Sequence, residues 1–331
     1  MAPATRVGIG IAVLLLLIVA SGLLYLWKRP LTVYAMMNRR ALAKSGLSET
    51  MAPSPLGPQA YWSGGTGPTL VLLHGAGDSA GTYATAAGRL VAKYRLVIPD
   101  LAGHGHSVPA AGPISIGDVI TGLEAVMQQG PQDPAVILGN SLGAWAALLY
   151  ARQHPDRVAR LVLVNGGALV GDRPDLSLMP KSRAEAQRLM AELTDPGSPR
   201  LAGFVLDDVV RSAQHGPISR LAQTAADMER YVLDGKLHEI AAPVDMLWGE
   251  SDRLFPPAYA RRMMAQLPAS RLITIPRCGH VPPQECPGRF TTALLEVLAK
   301  PAPKPEEKDT ETGAEMGTQA AAPGAPSSAG R

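Results

Sequence analysis

Short, nearly continuous apolar runs punctuate this chain, with room for a helix between one and the next: Leu70–Leu73, Leu96–Ile98, Ala135–Leu138, Leu161–Val164, Val244–Trp248 and Leu272–Ile275. A strand covered on both faces looks like this, because successive side chains point to opposite faces and both sets must be apolar. Helical patterns fall between the runs, at about 81–93, 115–129, 142–153, 257–267 and 285–299. The alternation predicts an α/β fold: a mostly parallel sheet flanked by helices. One interval breaks the rhythm. Residues 167–242 hold helical patterns such as Ser182–Leu193 and Ile218–Leu233 and no strand signal, which reads as a helical cap inserted in one connection.

With 46% hydrophobic residues in 331, the chain can bury the core of one large domain. A formal net charge of +3, without a Lys/Arg block, argues against nucleic acid as a partner. Cys278 and Cys286 are too few for a disulfide scaffold, and sequence leaves their pairing open.

The N-terminus is a separate unit. Val7–Trp27 carries no charged side chain and spans about 31 Å as a helix, close to one hydrocarbon core. Tyr25 and Trp27 stand at its end, where amphipathic rings favour the headgroup level, and Lys28 and Arg29 stop it. Residues 1–28 are therefore expected to form a transmembrane anchor. A cleaved signal peptide is the alternative, with Arg6, the apolar run and Ala20-Ser21-Gly22 in its favour. The run continues through Leu23, Leu24 and Leu26, which favours the anchor. Lys28, Arg29, Arg39, Arg40 and Lys44 outnumber Arg6, so the positive-inside rule places the following domain in the cytoplasm. Residues 29–59, basic and then Pro-rich (Pro53, Pro55, Pro58), read as a linker. Residues 300–331 are dominated by Pro, Ala, Glu, Lys, Gly and Ser, with Met316 the one large aliphatic residue, and read as a disordered tail. The folded domain is assigned to 60–299.

The chemistry concentrates after the apolar runs. Gly139-Asn140-Ser141-Leu142-Gly143 has the G-x-S-x-G form, directly after one strand and before one helix. A tight strand-to-helix turn there exposes a serine hydroxyl above the sheet and sets it against a helix N-terminus, which favours developing negative charge. A serine nucleophile needs a base. His280 lies in Cys278-Gly279-His280-Val281-Pro282, between the last strand and the last helix. The base in turn needs a carboxylate that fixes its tautomer. Asp252 follows the Val244–Trp248 strand, and the chain order serine, acid, histidine is the expected one; Glu250 is the lesser candidate. An oxyanion needs preorganised N–H donors. His74-Gly75-Ala76-Gly77 offers the Ala76 amide, and Leu142, after the serine, offers the second; His74 reads as a loop organiser. Asp100-Leu-Ala-Gly103-His104-Gly105-His106-Ser107 reads as a tight loop beside the site rather than a metal centre. No cofactor motif is present, since the Gly-rich segments lack a dinucleotide-binding context.

Together these motifs resemble the α/β-hydrolase superfamily over about 60–299. The resemblance implies an α/β-hydrolase fold with a triad at Ser141, Asp252 and His280. Asn140 and the G-H-x-P context are similar to capped hydrolases, among them monoacylglycerol lipases with an N-terminal membrane helix and hydrolases of meta-cleavage products. The expected function is hydrolysis of carboxylic esters, lipid or acylglycerol-like, through an acyl-enzyme. Carbon–carbon bond hydrolysis of a diketone, acyl transfer to an alcohol, and a non-catalytic membrane-bound binding protein are the alternatives. One departure stands out: only Ala60–Ser63 looks extended before the first apolar run, so the sheet's first edge is expected to be abbreviated.

Overall fold

The computed structural model describes residues 3–131, 133–171 and 176–304. The sheet has eight strands: β1 (Ser48–Ala52), β2 (Gln59–Gly64), β3 (Thr69–Leu73), β4 (Arg95–Pro99), β5 (Ala135–Asn140), β6 (Val158–Val164), β7 (Val244–Gly249) and β8 (Ser270–Ile275). Their spatial order is β1-β2-β4-β3-β5-β6-β7-β8. β2 pairs antiparallel with β1 and with β4, and the pairs from β4 to β8 are parallel.

The helices are α1 (Pro3–Lys28), α2 (Pro30–Lys44), α3 (Ala84–Leu90), α4 (Ile116–Gln129), α5 (Leu142–Gln153), α6 (Arg183–Leu193), α7 (Gly203–His215), α8 (Pro217–Ala222), α9 (Ala225–Met228), α10 (Pro257–Met264), α11 (Pro282–Glu285) and α12 (Pro287–Ala299). Alternation along each central strand feeds two cores. Val71, Leu73, Ile137, Leu161 and Leu163 pack with α4, α5 and α10 residues on one face. Leu70, Leu72, Leu138, Val162 and Val164 pack with α3 and α12 residues on the other. Each buried Leu or Val stabilises the fold by roughly 1.5–3 kcal/mol before entropy is counted. This two-sided burial is why the strands read as unbroken apolar runs.

Two expectations fail at the N-terminal side. The sheet's first edge is complete, because β1 pairs with β2 from Ser48↔Ser63 to Ala52↔Gln59. β1 carries Ser-Glu-Thr-Met on exposed positions and buries only Ala52, so it has no apolar run to read. Residues 29–59 are also not a bare linker. They hold α2 and β1, and α2 buries Leu42 in the same core as α3 and α12. Pro30 sits in the first turn of α2, where its missing N–H costs nothing.

The helix α1 presents exposed apolar side chains, among them Leu16 at 68% and Trp27 at 62%. Among the described residues no single helix is long and apolar enough to cross a membrane; Val13–Lys28 and Pro30–Lys44, bent by 100°, meet the test together. Both contact α7: Trp27 stacks on Phe204 at 4.9 Å, and the Leu31 amide in the first turn of α2 donates to Asp208 at 2.9 Å. That carboxylate satisfies a helix N-terminal donor that has no partner within its own helix. The helices α6, α7, α8 and α9 occupy the interval between β6 and β7. Of the tail assigned to 300–331, residues 305–331 lie outside the described residues.

Candidate active site

The loops that leave the carboxyl ends of β3, β5, β6, β7 and β8 converge, as ligand sites do in open α/β sheets. Ser141 sits at the β5–α5 turn with φ 53° and ψ −116°, a conformation that L residues rarely adopt. The turn closes only because its flanks are glycine: a Cβ on Gly139 would lie 2.2 Å from the Gly143 oxygen, and one on Gly143 would lie 2.3 Å from the Leu73 oxygen.

Three side chains from three loops meet there. His280 Nε2 lies 3.0 Å from Ser141 Oγ, and His280 Nδ1 lies 2.9 Å from Asp252 Oδ2. Both His280 and Asp252 are buried. The Asp252 carboxylate also accepts from the Leu254 and Phe255 amides, at 2.9 and 3.0 Å, which fixes its plane. Glu250, the lesser candidate, is exposed in the turn before it.

The loop from β3 lies against the serine. A Cβ on Gly75 would come within 3.3 Å of the Ser141 Cβ. Ala76 follows in that loop, and Leu142 opens α5. Among the described residues neither amide donates to a protein acceptor. First-turn helical amides and a glycine-turned loop are suited to hold an oxyanion. His74 holds the loop: Nε2 accepts from the Leu101 amide at 2.9 Å, which leaves Nδ1 to donate to the Gly75 oxygen at 2.8 Å. The two histidines of the Asp100–Ser107 loop diverge. His104 is buried beside the Ala102 oxygen, and His106 faces Glu49.

Asn165 went unremarked in the sequence. It has φ 47°, is fully buried, donates from Nδ2 to Asp252 Oδ2 at 2.6 Å and accepts from the Gly249 amide at 3.0 Å. The available signal was Asn165-Gly166-Gly167 directly after an apolar strand, a turn signature at the carboxyl end of that strand. Asn140 braces the opposite side, donating to the Val164 and His280 oxygens at 3.0 and 3.1 Å. The pairing left open by the sequence is present: Cys278 and Cys286 form a disulfide across the His280 loop, with Cα atoms 6.0 Å apart.

A cavity of about 460 Å³ lies between α6 and α7. Met190 and Leu206 supply apolar lining and Arg253 reaches it, while Ser141 and His280 do not.

The sequence profile of the alpha/beta hydrolase family matches residues 70–293. This chain belongs to that family. Among its relatives, the hydrolase is 29% identical to 2-hydroxy-6-oxononadienedioate/2-hydroxy-6-oxononatrienedioate hydrolase 2 of Pseudomonas putida, over 70% of this chain and 87% of that one. It is 30% identical to the pimeloyl acyl-carrier-protein methyl ester esterase of Aromatoleum aromaticum, over 66% of this chain and 95% of that one. Among solved structures, the hydrolase resembles a membrane phospholipase A, a bacterial virulence factor, with a TM-score of 0.71 and 26% identity, covering 89% of this chain and 98% of that one. The sheet-bearing residues 48–299 are too few to supply that coverage alone, so the likeness extends beyond them.

Proposed function

We propose that this hydrolase cleaves carboxylic esters of apolar acyl groups through an acyl-enzyme on Ser141. The hydrogen-bonded series Ser141 Oγ, His280 Nε2, His280 Nδ1 and Asp252 Oδ2, set on a strained turn, carries the reading. His280 takes the Ser141 proton as Oγ attacks the ester carbonyl, and Asp252 holds the ring and balances the imidazolium that forms. The Ala76 and Leu142 amides stabilise the oxyanion. His280 then protonates the leaving alkoxide, and water, activated by the same ring, releases the acid.

The exposed apolar helix α1, and the likeness to a membrane phospholipase, support attachment to a membrane and a lipid ester as substrate. Flanking charge favours the cytoplasmic side, whereas a buried disulfide favours an oxidising compartment. Charge bias sets only a tendency and cytosolic thiols stay reduced, so we assign the domain to the side away from the cytoplasm. The similarity to a Pseudomonas putida dienedioate hydrolase favours carbon–carbon bond hydrolysis as the second reading.

The test uses full-length protein and Ser141→Ala with a fluorophosphonate probe, p-nitrophenyl esters of graded chain length and a dienone. Labelling and ester turnover that vanish in Ser141→Ala are expected. Labelling of Ser141→Ala at the parent rate sinks the serine mechanism, and turnover of the dienone without ester turnover selects the second reading.

A further inference from the structure

The carboxylate of Glu285 joins the cap to the loop that carries His280. Its Oε2 accepts from the Gly279 amide at 2.6 Å, at the residue immediately before His280. Its Oε1 accepts from the Asp195 amide and from Ser198 Oγ, both at 2.6 Å and both in the segment that follows α6. Hydrogen bonds to an ionised acceptor are about twice as strong as neutral ones, and here three converge from two parts of the chain.

The same cap segment grips the site elsewhere. The Leu193 oxygen, in the last turn of α6, accepts from the His280 amide at 2.7 Å. The Glu192 oxygen accepts from the Arg253 amide at 3.3 Å, beside Asp252, and Asp195 Oδ2 accepts from Ser251 Oγ. These last-turn carbonyls have no partners within their own helix, so a docked loop satisfies them. The approach is close enough to require glycine: a Cβ on Gly279 would lie 2.3 Å from the Leu193 oxygen and 2.8 Å from Glu285 Oε2. The neighbouring Gln284 makes a matching link on the other side, donating from Nε2 to Asp78 Oδ2 at 2.5 Å in the loop that carries Ala76.

We propose that Glu285 is a positioning residue for the hydrolytic reaction: it clamps the cap segment 195–198 to the Gly279 amide and so holds His280 in line between Ser141 and Asp252. The proposal rests on the triad reading given above. Removing the carboxylate leaves the Gly279 and Asp195 amides without their acceptor and frees the peptide that enters His280.

The test uses the full-length protein in detergent micelles with p-nitrophenyl acetate, whose short acyl group engages little of the cap. Glu285→Ala and the near-isosteric Glu285→Gln are each expected to lower kcat at least tenfold, with KM within twofold of the parent. The fluorophosphonate labelling rate should fall in the same proportion, and the downfield Nδ1–H resonance of His280 should broaden or vanish. Ser198→Ala, which removes one of the three donors, should lower kcat two- to threefold and keeps the test alive if Glu285→Ala does not fold. An unchanged kcat with a raised KM overturns the proposal and makes Glu285 a cap-binding residue only. A lowered Tm with kcat and the resonance intact also overturns it. If Ser141→Ala is inert while the Glu285 variants keep the parent kcat, only the clamp fails. If Ser141→Ala labels normally, the triad itself fails.

Discussion

The Asp252 oxygen that faces His280 is shared with Asn165: Oδ2 lies 2.9 Å from His280 Nδ1 and accepts from Asn165 Nδ2 at 2.6 Å. The Asn165 amide group therefore fixes where the carboxylate points, while its own oxygen takes the Gly249 amide. Asn165→Ala orphans that buried amide and loosens the carboxylate, a loss on the order of 1–3 kcal/mol. The expected outcome is a fall of about tenfold or more in kcat/KM for a p-nitrophenyl ester. Steady-state kinetics on the folded variant check it, and parent-level activity would remove Asn165 from the site.

Gly166 touches the serine from below. A Cβ there would sit 2.4 Å from the Ser141 Cα and 2.6 Å from the Ser141 oxygen. Gly166→Ala removes no chemical group, yet it should displace the turn and cut kcat by at least about tenfold, with about 1–3 kcal/mol of lost stability from overpacking. Ester turnover and urea unfolding measured on the same preparation decide it.

Asp245 lies at the other end of β7, fully buried between Arg160 at 2.5 Å and Arg271. Arg160 also donates to the Val297 and Lys300 oxygens, at 2.9 and 3.0 Å, so the pair ties the last helix to the sheet. Asp245→Ala leaves a buried guanidinium without its counter-charge and should cost about 3–5 kcal/mol. The activity of the folded fraction at low temperature should match the parent, because the pair is remote from Ser141.

Burial, with His74 the next cause, pushes His104 down to about 3. In the unfolded chain a histidine titrates near 6.5. The folded-state value is the lower one, so the neutral ring's contribution is complete above about pH 6.5 and is lost as pH falls toward 3. The slope is about 1.4 kcal/mol per pH unit inside that window, or about 2 kcal/mol between pH 6.5 and 5. Urea unfolding at those two pH values should show a smaller acid loss for His104→Gln than for the parent. Equal losses would mean that His104 is not the group responsible.

What the sequence showed followed from how each element is buried. The strands β3 to β7 could be read because both faces are covered, and the three polar side chains singled out after β5, β7 and β8 are the ones that meet. β1 escaped notice because four of its five residues face outward on an edge. The helix α2 was hidden by the Pro-rich stretch beyond it, although Pro30 and the basic Lys44 mark its two ends. Asn165, just after β6, and Glu285, at the end of α11, are ordinary residue types. Their significance comes from partners at Gly249, Asp252 and Asp195, which are distant in the chain, and no local pattern encodes such meetings.

The helix α2 also supplies Arg39, whose Nη1 lies 3.0 Å from the buried Asp100 Oδ2 while its Nη2 meets Glu49. Asp100 in turn accepts from the Ala80 amide at 2.7 Å and the His106 amide at 2.8 Å, which anchors two loops beside the site. A shortened version of this hydrolase therefore has a natural starting point. Begun at Arg29, it keeps the guanidinium and should purify as a folded enzyme without α1. Begun after Lys44, it strands a carboxylate in the interior, and a protease should find the loops at 76–80 and 100–107 open to cutting.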